Sequence, residues 1–151
     1  TLPYTQTRWS LADLFPALDS PELEQTFTDL EAQVGDFESM RPQLFPQINQ
    51  ADFLKFVAHL EAIHQLGMRL YAFASLAFSA DTQDQSAQTL VARVDQFVAT
   101  MQNRTLFFSL WWKDLDDENA RRVVSSETTQ AFKPMMTVLG CSRRGGITPS
   151  P

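Results

Sequence analysis

The sequence predicts an all-α fold, an antiparallel helical bundle or hairpin array of three long helices plus a short fourth. Along three long segments, apolar residues recur at steps of three and four, which is the spacing of one helix face. Residues that cap helices, and prolines, stand at segment boundaries. No segment alternates apolar and polar residues, as a half-buried strand would. At 151 residues, one domain can bury about 70% of the surface of its unfolded chain.

The chain divides into three parts. Residues 1–18 are predicted to form an extended lead-in that packs on the helices, residues 19–124 a helical domain, and residues 125–151 an irregular tail. The tail contains Arg-Arg-Gly-Gly and Pro-Ser-Pro clusters and has no helical period, so we expect it to be disordered. The predicted anchors of the lead-in are Trp9, Leu11, Leu14 and Phe15.

The first helix is predicted to begin at Pro21, because Asp19 or Ser20 can cap its free N–H groups and proline fits the first turn. It should end near Arg41, since Pro42 disfavours helical backbone at the residue before it. Its apolar stripe comprises Leu23, Phe27, Leu30, Val34 and Phe37.

The second helix should start near Asn49 and approach thirty residues, with Gly67 inside it at a cost of up to about 1 kcal/mol relative to alanine. Asp81 and Thr82 are predicted to form the turn and cap before the third helix. The apolar stripe of the second helix comprises Phe53, Phe56, Val57, Leu60, Ile63, Leu66, Leu70, Phe73 and Ala77.

The third helix has an apolar stripe of about six turns. An acidic segment, residues 115–118, then predicts a break and the start of a short fourth helix that carries Ala120, Val123 and Val124. The stripe of the third helix comprises Leu90, Val91, Val94, Phe97, Val98, Met101, Leu106, Phe108 and Trp112.

The composition limits the classes of partner. With 18 acidic and 12 basic side chains, the chain carries a formal net charge of -6, which repels phosphate backbones and anionic membranes. The longest apolar runs fall short of the roughly 20 residues that span a bilayer. Cys141, the one cysteine, cannot form an internal disulfide. We therefore expect a cytoplasmic protein that binds neither nucleic acid nor membrane.

The histidines do not predict a metal site. His59 and His64 are five residues apart, so on one helix they point about 140° apart and cannot reach one ion. Glu61 and His64 have the Glu-x-x-His spacing of di-iron bundles, but such a site needs two copies, and the sequence has one. Cys141 stands among helix breakers without a nearby histidine, so we expect no catalysis by its thiol. The chain itself is predicted to hold no cofactor.

One aromatic cluster is a candidate contact surface. Phe107, Phe108, Trp111 and Trp112 stand close together in the third helix. Aromatic residues at helical spacing usually belong to a core, so we expect these four to be core residues or a contact to a further domain. An exposed surface that binds a partner is the alternative.

Three segments resemble oligoendopeptidase F-type zinc metallopeptidases. Residues 9–16 resemble the tryptophan-containing opening of the family, and residues 19–23 continue it into the first helix. Residues 69–78, followed by residues 81–84, resemble the second helix of the family and its turn. Residues 103–112 also resemble the family. Order and spacing agree across about residues 8–124.

The resemblance implies that the chain is the N-terminal helical domain of such an enzyme and forms one wall of a channel for oligopeptide substrates. In the family, an HExxH helix and a downstream glutamate bind zinc and activate water. Those residues do not occur in this chain, so we expect it to be inactive alone. A fragment that lacks its catalytic partner should also expose apolar surface and self-associate.

The segment after residue 124 departs from the family pattern, which continues with further helices. A frameshift or premature stop near this point would explain the change. The alternative is a free-standing helical module that binds a protein partner through an aromatic groove containing Trp111 and Trp112. The two hypotheses differ in whether the coding sequence encodes an HExxH helix downstream.

Overall fold

The structure, a computed structural model, describes residues 10–124. Within this range the chain forms helices and no strand, so the predicted all-α class is confirmed. The three long helices and the short fourth are also confirmed. They are α1 (Pro21–Ser39), α2 (Gln50–Ala80), α3 (Gln85–Asp114) and α4 (Asp117–Val123), with a 3-10 helix, Arg41–Gln43, after α1.

The helices contribute to two compact units. Within the described residues, the first unit comprises residues 10–32 and 64–101, and the second comprises residues 33–63 and 102–124. Each of the three long helices therefore belongs partly to one unit and partly to the other. Trp9 and the tail at 125–151, for which the sequence predicts an anchor and disorder, lie outside the described residues.

Polar side chains mark where the helices begin. Ser20 Oγ accepts a hydrogen bond from Leu23 N at 3.3 Å, and Asn49 Oδ1 accepts one from Asp52 N at 2.9 Å. Each bond satisfies one of the backbone N–H groups that the first turn leaves free. The predicted starts at Pro21 and near Asn49 are confirmed.

The cap of α3 differs from the prediction. Asp84 Oδ1 accepts the backbone N–H groups of Ser86 at 2.8 Å and Ala87 at 3.3 Å. Asp81 instead accepts Gln83 N at 3.0 Å and stabilises the turn that precedes the helix. The predicted turn at Asp81 and Thr82 is confirmed, whereas the cap lies at Asp84, so its predicted position is wrong.

The first unit packs the lead-in against α2. Residues 11–15 form a turn in which Leu14 N and Phe15 N both donate to Leu11 O. The buried Phe15 ring meets Phe73 edge to face, with 5.1 Å between the ring centroids. Arg69 Nη2 donates to Leu14 O at 2.7 Å, and its guanidinium lies 4.5 Å above the Phe15 ring. One arginine thus fixes both the backbone and the side chain of the turn.

The second unit has an aromatic core. Phe37 of α1 meets Phe56 of α2 edge to face, at 5.8 Å between centroids. Phe56 stacks on Phe108 of α3 at 5.9 Å, and Phe53 stacks on Trp112 at 5.5 Å. Earlier residues of α2 therefore contact later residues of α3, which is the antiparallel pairing that the sequence predicts.

The predicted stripes supply most of the core. All five predicted residues of α1 are buried, as are Ala120 and Val123 of α4. Leu106 is the exception, because 47% of its surface is exposed. It follows Met101 by five residues, about 140° around the helix, whereas Phe108 follows by seven and returns to the buried side. The assignment of Leu106 to the apolar stripe is wrong.

Candidate functional site

The four aromatic residues singled out in the sequence divide into two pairs. Phe108 and Trp112 are buried in the core of the second unit, whereas Phe107 and Trp111 are half-buried. Successive residues of a helix point about 100° apart, so one helix can supply both a buried pair and a pair at the edge of the core. Phe107 and Trp111 are four residues apart and share a face of α3.

The half-buried pair is held by rings of the core. Phe107 lies 5.2 Å from Phe37 between centroids, and Trp111 lies 5.8 Å from Phe108. Trp111 also contacts Phe53 at 6.3 Å. These separations fall within the range of favourable aromatic pairs. The two side chains therefore form a fixed wall and do not hang freely in solvent.

Phe107 and Trp111 line an open groove of about 290 Å³ with Arg41, Leu44 and Leu110. We call it the Arg41 groove. Leu110 is 51% exposed and lies four residues from Leu106, so both leucines present apolar surface on one side of α3. Exposed apolar surface beside a groove is typical of contact sites.

Arg41 stands at this groove because α1 ends at Ser39, two residues before it. Pro42 is incompatible with a continued helix, and the chain enters the 3-10 helix, in which Gln43 N donates to Met40 O at 2.9 Å and Leu44 N to Arg41 O at 3.1 Å. The exposed Arg41 guanidinium lies 5.2 Å above the Phe107 ring. A helix end and an aromatic face thus position one positive charge.

Two buried nitrogen atoms in the second unit have no hydrogen-bond partner within the described residues. They are Nε1 of Trp111 and Nε2 of His59. Removing a polar atom from water without a partner costs about 1–3 kcal/mol. The His59 ring also meets Phe37 edge to face, with 5.7 Å between the ring centroids. This aromatic contact offsets part of the cost of burying Nε2.

An ion pair and an arginine fix the surroundings of the groove. Arg104 of α3 donates to Glu38 of α1 through Nε at 3.0 Å and Nη2 at 2.5 Å. These hydrogen bonds lower the pKa of Glu38, and the charge of Arg104 adds to the effect. Arg122 of α4 donates to Ile48 O at 2.7 Å and to Pro46 O at 2.9 Å. It thereby fastens the segment after Leu44 to α4.

A second ion pair belongs to the first unit. Arg93 donates to both carboxylate oxygens of Glu24, with 2.8 Å from Nη2 to Oε2, and its guanidinium lies 4.0 Å above Phe27. The hydrogen bonds lower the pKa of Glu24 and raise the pKa of Arg93. Both sites pair an acidic residue of α1 with a basic residue of α3.

The histidines lie on α2 without a set of metal ligands around them. Glu61 is exposed and His64 is half-buried. Nowhere in residues 10–124 do three His, Cys, Asp or Glu side chains come together as a group that could hold a metal ion. Cys141 lies outside the described residues.

Three residues of the groove are not among the candidate site residues predicted from the sequence. The sequence predicts Arg41 only as the end of a helix, and it predicts no site role for Leu44 or Leu110. The sequence does contain an indication for Leu110. Residues 106–112 hold more apolar side chains than one helix face can bury, and Leu110 lies four residues after Leu106, on the same face. The sequence contains no such indication for Arg41, since only the fold brings it over Phe107.

No known family model, curated protein or solved structure matches this chain. Of the helices in the described part of the chain, none is both long and apolar enough to cross a membrane.

Proposed function

We propose that the chain is the N-terminal helical domain of an oligoendopeptidase F-like zinc metallopeptidase and forms part of the path by which oligopeptides reach a catalytic domain. The observation that carries this proposal is the contact between Phe15 and Phe73, reinforced by Arg69. These residues come from two of the segments that resemble the family, 9–16 and 69–78. Two of the segments that resemble the family therefore pack directly on one another.

The exposed apolar surface agrees with this proposal. In the second unit, Leu106 and Leu110 are about half exposed next to the Arg41 groove. A domain that completes a larger enzyme would leave such a surface for its partner. Isolated, the chain should self-associate through it.

Under this proposal zinc, water activation and peptide hydrolysis belong to the longer protein. The helical domain would bind and orient oligopeptides and exclude bulky chains from the channel. The lone chain would be catalytically inactive and would not bind nucleic acid or membranes. The family resemblance also implies a cytoplasmic location, and a chain with one cysteine is compatible with that reducing compartment.

The first test is to sequence the coding DNA from about codon 120 onward and translate the downstream region in all three frames. The proposal expects helical sequence with an HExxH motif. The longer protein, expressed with the frame restored, should bind one zinc ion and cleave internally quenched oligopeptides. A matched variant in which the glutamate of HExxH is changed to glutamine should keep the zinc and lose the cleavage.

Absence of that motif from every frame would contradict the proposal. It would favour a free-standing helical module that binds a protein partner at the Arg41 groove, which has the aromatic wall such a module needs. A third result would overturn both readings. If the purified chain alone contained stoichiometric zinc and cleaved peptides, the chain would itself be an enzyme.

A further inference from the structure

The Arg41 groove combines one positive charge with apolar walls. Of the five other arginines in residues 10–124, four bind carboxylates or backbone carbonyl groups of the fold. Arg93 and Arg104 pair with carboxylates, while Arg69 and Arg122 donate to backbone carbonyl oxygens. The Arg41 guanidinium has no hydrogen bond or ion pair within residues 10–124, and Arg41 is exposed.

The position of Arg41 leaves its hydrogen-bonding capacity for a ligand. A guanidinium held over an aromatic ring engages through its face, while its N–H groups lie in its plane and match the two oxygens of a carboxylate. The chain is acidic overall, with a net charge of -6. The nearby carboxylate of Glu38 is paired with Arg104, and no ion pair in residues 10–124 neutralises Arg41, so its guanidinium is a local site of attraction for an anion.

The size of the groove limits the rest of the ligand. Its volume of about 290 Å³ lies just below the usual range for small-molecule sites, about 300–1,000 Å³. It can accept one large side chain, but not a folded segment or a whole peptide. Leu44, Phe107, Leu110 and Trp111 supply apolar and aromatic walls, so the side chain it accepts should be apolar.

The charge and the apolar wall are close enough to contact a single residue. The Arg41 guanidinium carbon lies 5.2 Å from the centre of the Phe107 ring, and consecutive Cα atoms of a peptide are about 3.8 Å apart. At the C-terminus of a peptide, the carboxylate and the last side chain leave the same Cα atom. A terminal apolar residue therefore meets both features at once.

We propose that the Arg41 groove binds the C-terminal residue of an oligopeptide, with the carboxylate on Arg41 and an apolar side chain against Phe107, Leu110 and Trp111. The oligopeptide class rests on the proposed function; the carboxylate and the apolar side chain rest on the groove. The site would hold the end of a peptide and leave its remaining residues free to extend toward a catalytic centre.

The test uses the full chain, labelled with ¹⁵N, and the peptide acetyl-Ala-Ala-Leu with a free C-terminal carboxylate. Its C-terminal amide serves as the matched probe. We expect shifts of the Trp111 indole resonance, a Kd of about 1 mM or tighter for the acid, and binding of the amide that is weaker by about tenfold. Arg41→Gln should reduce binding of the acid to the level of the amide.

Arg121→Gln is the matched control, because Arg121 is an exposed arginine of the second unit outside the groove lining. This variant should keep the preference for the acid, and both variants should retain the helical circular dichroism of the parent chain. Leu110→Ala should weaken both peptides without changing their ratio. Together, the affinities of these variants distinguish the contribution of the Arg41 charge from that of the apolar wall.

Three results would overturn the inference. They are equal affinities for acid and amide, a preference that survives Arg41→Gln, and the absence of shifts with either peptide at about 10 mM, well above the expected Kd. Equal binding of acetyl-Ala-Leu-Asp-amide would show that any carboxylate suffices, and would reject terminal recognition. Each result is obtained without the catalytic domain, so it is independent of whether an HExxH sequence is found.

Discussion

Arg104 of α3 donates two hydrogen bonds to the carboxylate of Glu38 on α1, one from Nε at 3.0 Å and one from Nη2 at 2.5 Å. Such a two-point contact is stronger than a single hydrogen bond, although solvent screens a pair that is partly exposed. In a double-mutant cycle of Glu38→Gln and Arg104→Gln, we expect a coupling of about 1 kcal/mol in the free energy of unfolding. Urea denaturation measures it.

The coupling should depend on pH. Because Arg104 lowers the pKa of Glu38 in the folded state, the stabilisation is complete above the unfolded pKa of about 4.3 and is lost as pH falls through the lower folded value. The pair Asp52 and Lys55 is the control. It is a single contact within α2, and the Lys55 side chain is more exposed than that of Arg104. Its coupling should be smaller. A Glu38–Arg104 coupling that was unchanged at pH 2 would contradict the assignment.

Replacement of Gly67 should change the free energy of unfolding. Apart from its chain neighbours and the backbone of its own helix, a Cβ atom built there meets no heavy atom within 4 Å, so alanine fits without displacement. Gly67→Ala should raise the free energy of unfolding by about 0.5–1 kcal/mol, because glycine loses more backbone entropy in a helix. Ala62→Gly, at another half-buried position of α2, should lower it by a similar amount. Destabilisation by Gly67→Ala would show that the helix needs the glycine.

The helices were predictable because their buried apolar residues recur every three or four positions, which is the period of an α-helix. All five residues of the α1 stripe are buried, and their spacing alone identifies the face. The cap of α3 was harder. Asp81 and Asp84 are both able to cap, and only the geometry of the turn assigns Asp84 to the helix and Asp81 to the turn itself.

Leu106 shows where periodicity fails. Residues 106–112 of α3 are apolar at all but one position, so several stripes fit the sequence equally well. The correct one is decided by which residues meet the other core rings, as Phe108 meets Phe56 at 5.9 Å. That information lies in residues distant along the chain and cannot be read from α3 alone.

The Arg41 groove was predictable only in part. The four aromatic residues drew attention to this region of α3, but two of them, Phe108 and Trp112, are core. Arg41 and Leu44 come from the connection after α1 and reach Phe107 through the fold. A sequence pattern can therefore indicate an aromatic wall, whereas the charge that gives the wall a chemical preference depends on tertiary structure.

His59 provides a test of buried polarity. Its Nε2 is buried and has no hydrogen-bond partner in the described part of the chain, whereas its ring packs against Phe37. His59→Phe should keep the ring contact and remove the unsatisfied atom. We expect the free energy of unfolding to rise by about 1 kcal/mol, measured by urea denaturation at pH 7.

His64→Phe is the control for this substitution. His64 is a half-buried residue of the same helix, and its Nε2 is not among the buried atoms without a partner, so its replacement should change stability by less than about 0.5 kcal/mol. Destabilisation by His59→Phe that exceeds the effect of His64→Phe would contradict this prediction. It would mean that the His59 side chain makes a stabilising polar interaction.

Asp116 should give α4 a stability that depends on pH. Its carboxylate accepts hydrogen bonds from the side chain of Asn119 at 2.8 Å and from the backbone N–H of Asn119 at 2.9 Å. These bonds, the side-chain one first, lower the pKa of Asp116 in the folded state. The stabilisation is therefore complete above the unfolded pKa of about 3.9 and disappears as pH falls through the lower folded pKa.

Asp116→Asn isolates this effect, because asparagine also caps helices but does not titrate. The urea midpoint of the parent chain should exceed that of the variant by a constant amount from pH 6 to pH 5. The difference should shrink between pH 4 and pH 2, because the ordinary pKa of aspartate is about 3.9. Other carboxylates titrate in both proteins and cancel. In Asn119→Ala, which lacks the side-chain donor but keeps the backbone N–H, the Asp116→Asn difference should vary less with pH. A difference that stayed constant down to pH 2 would mean that protonation of Asp116 does not affect the stability of α4.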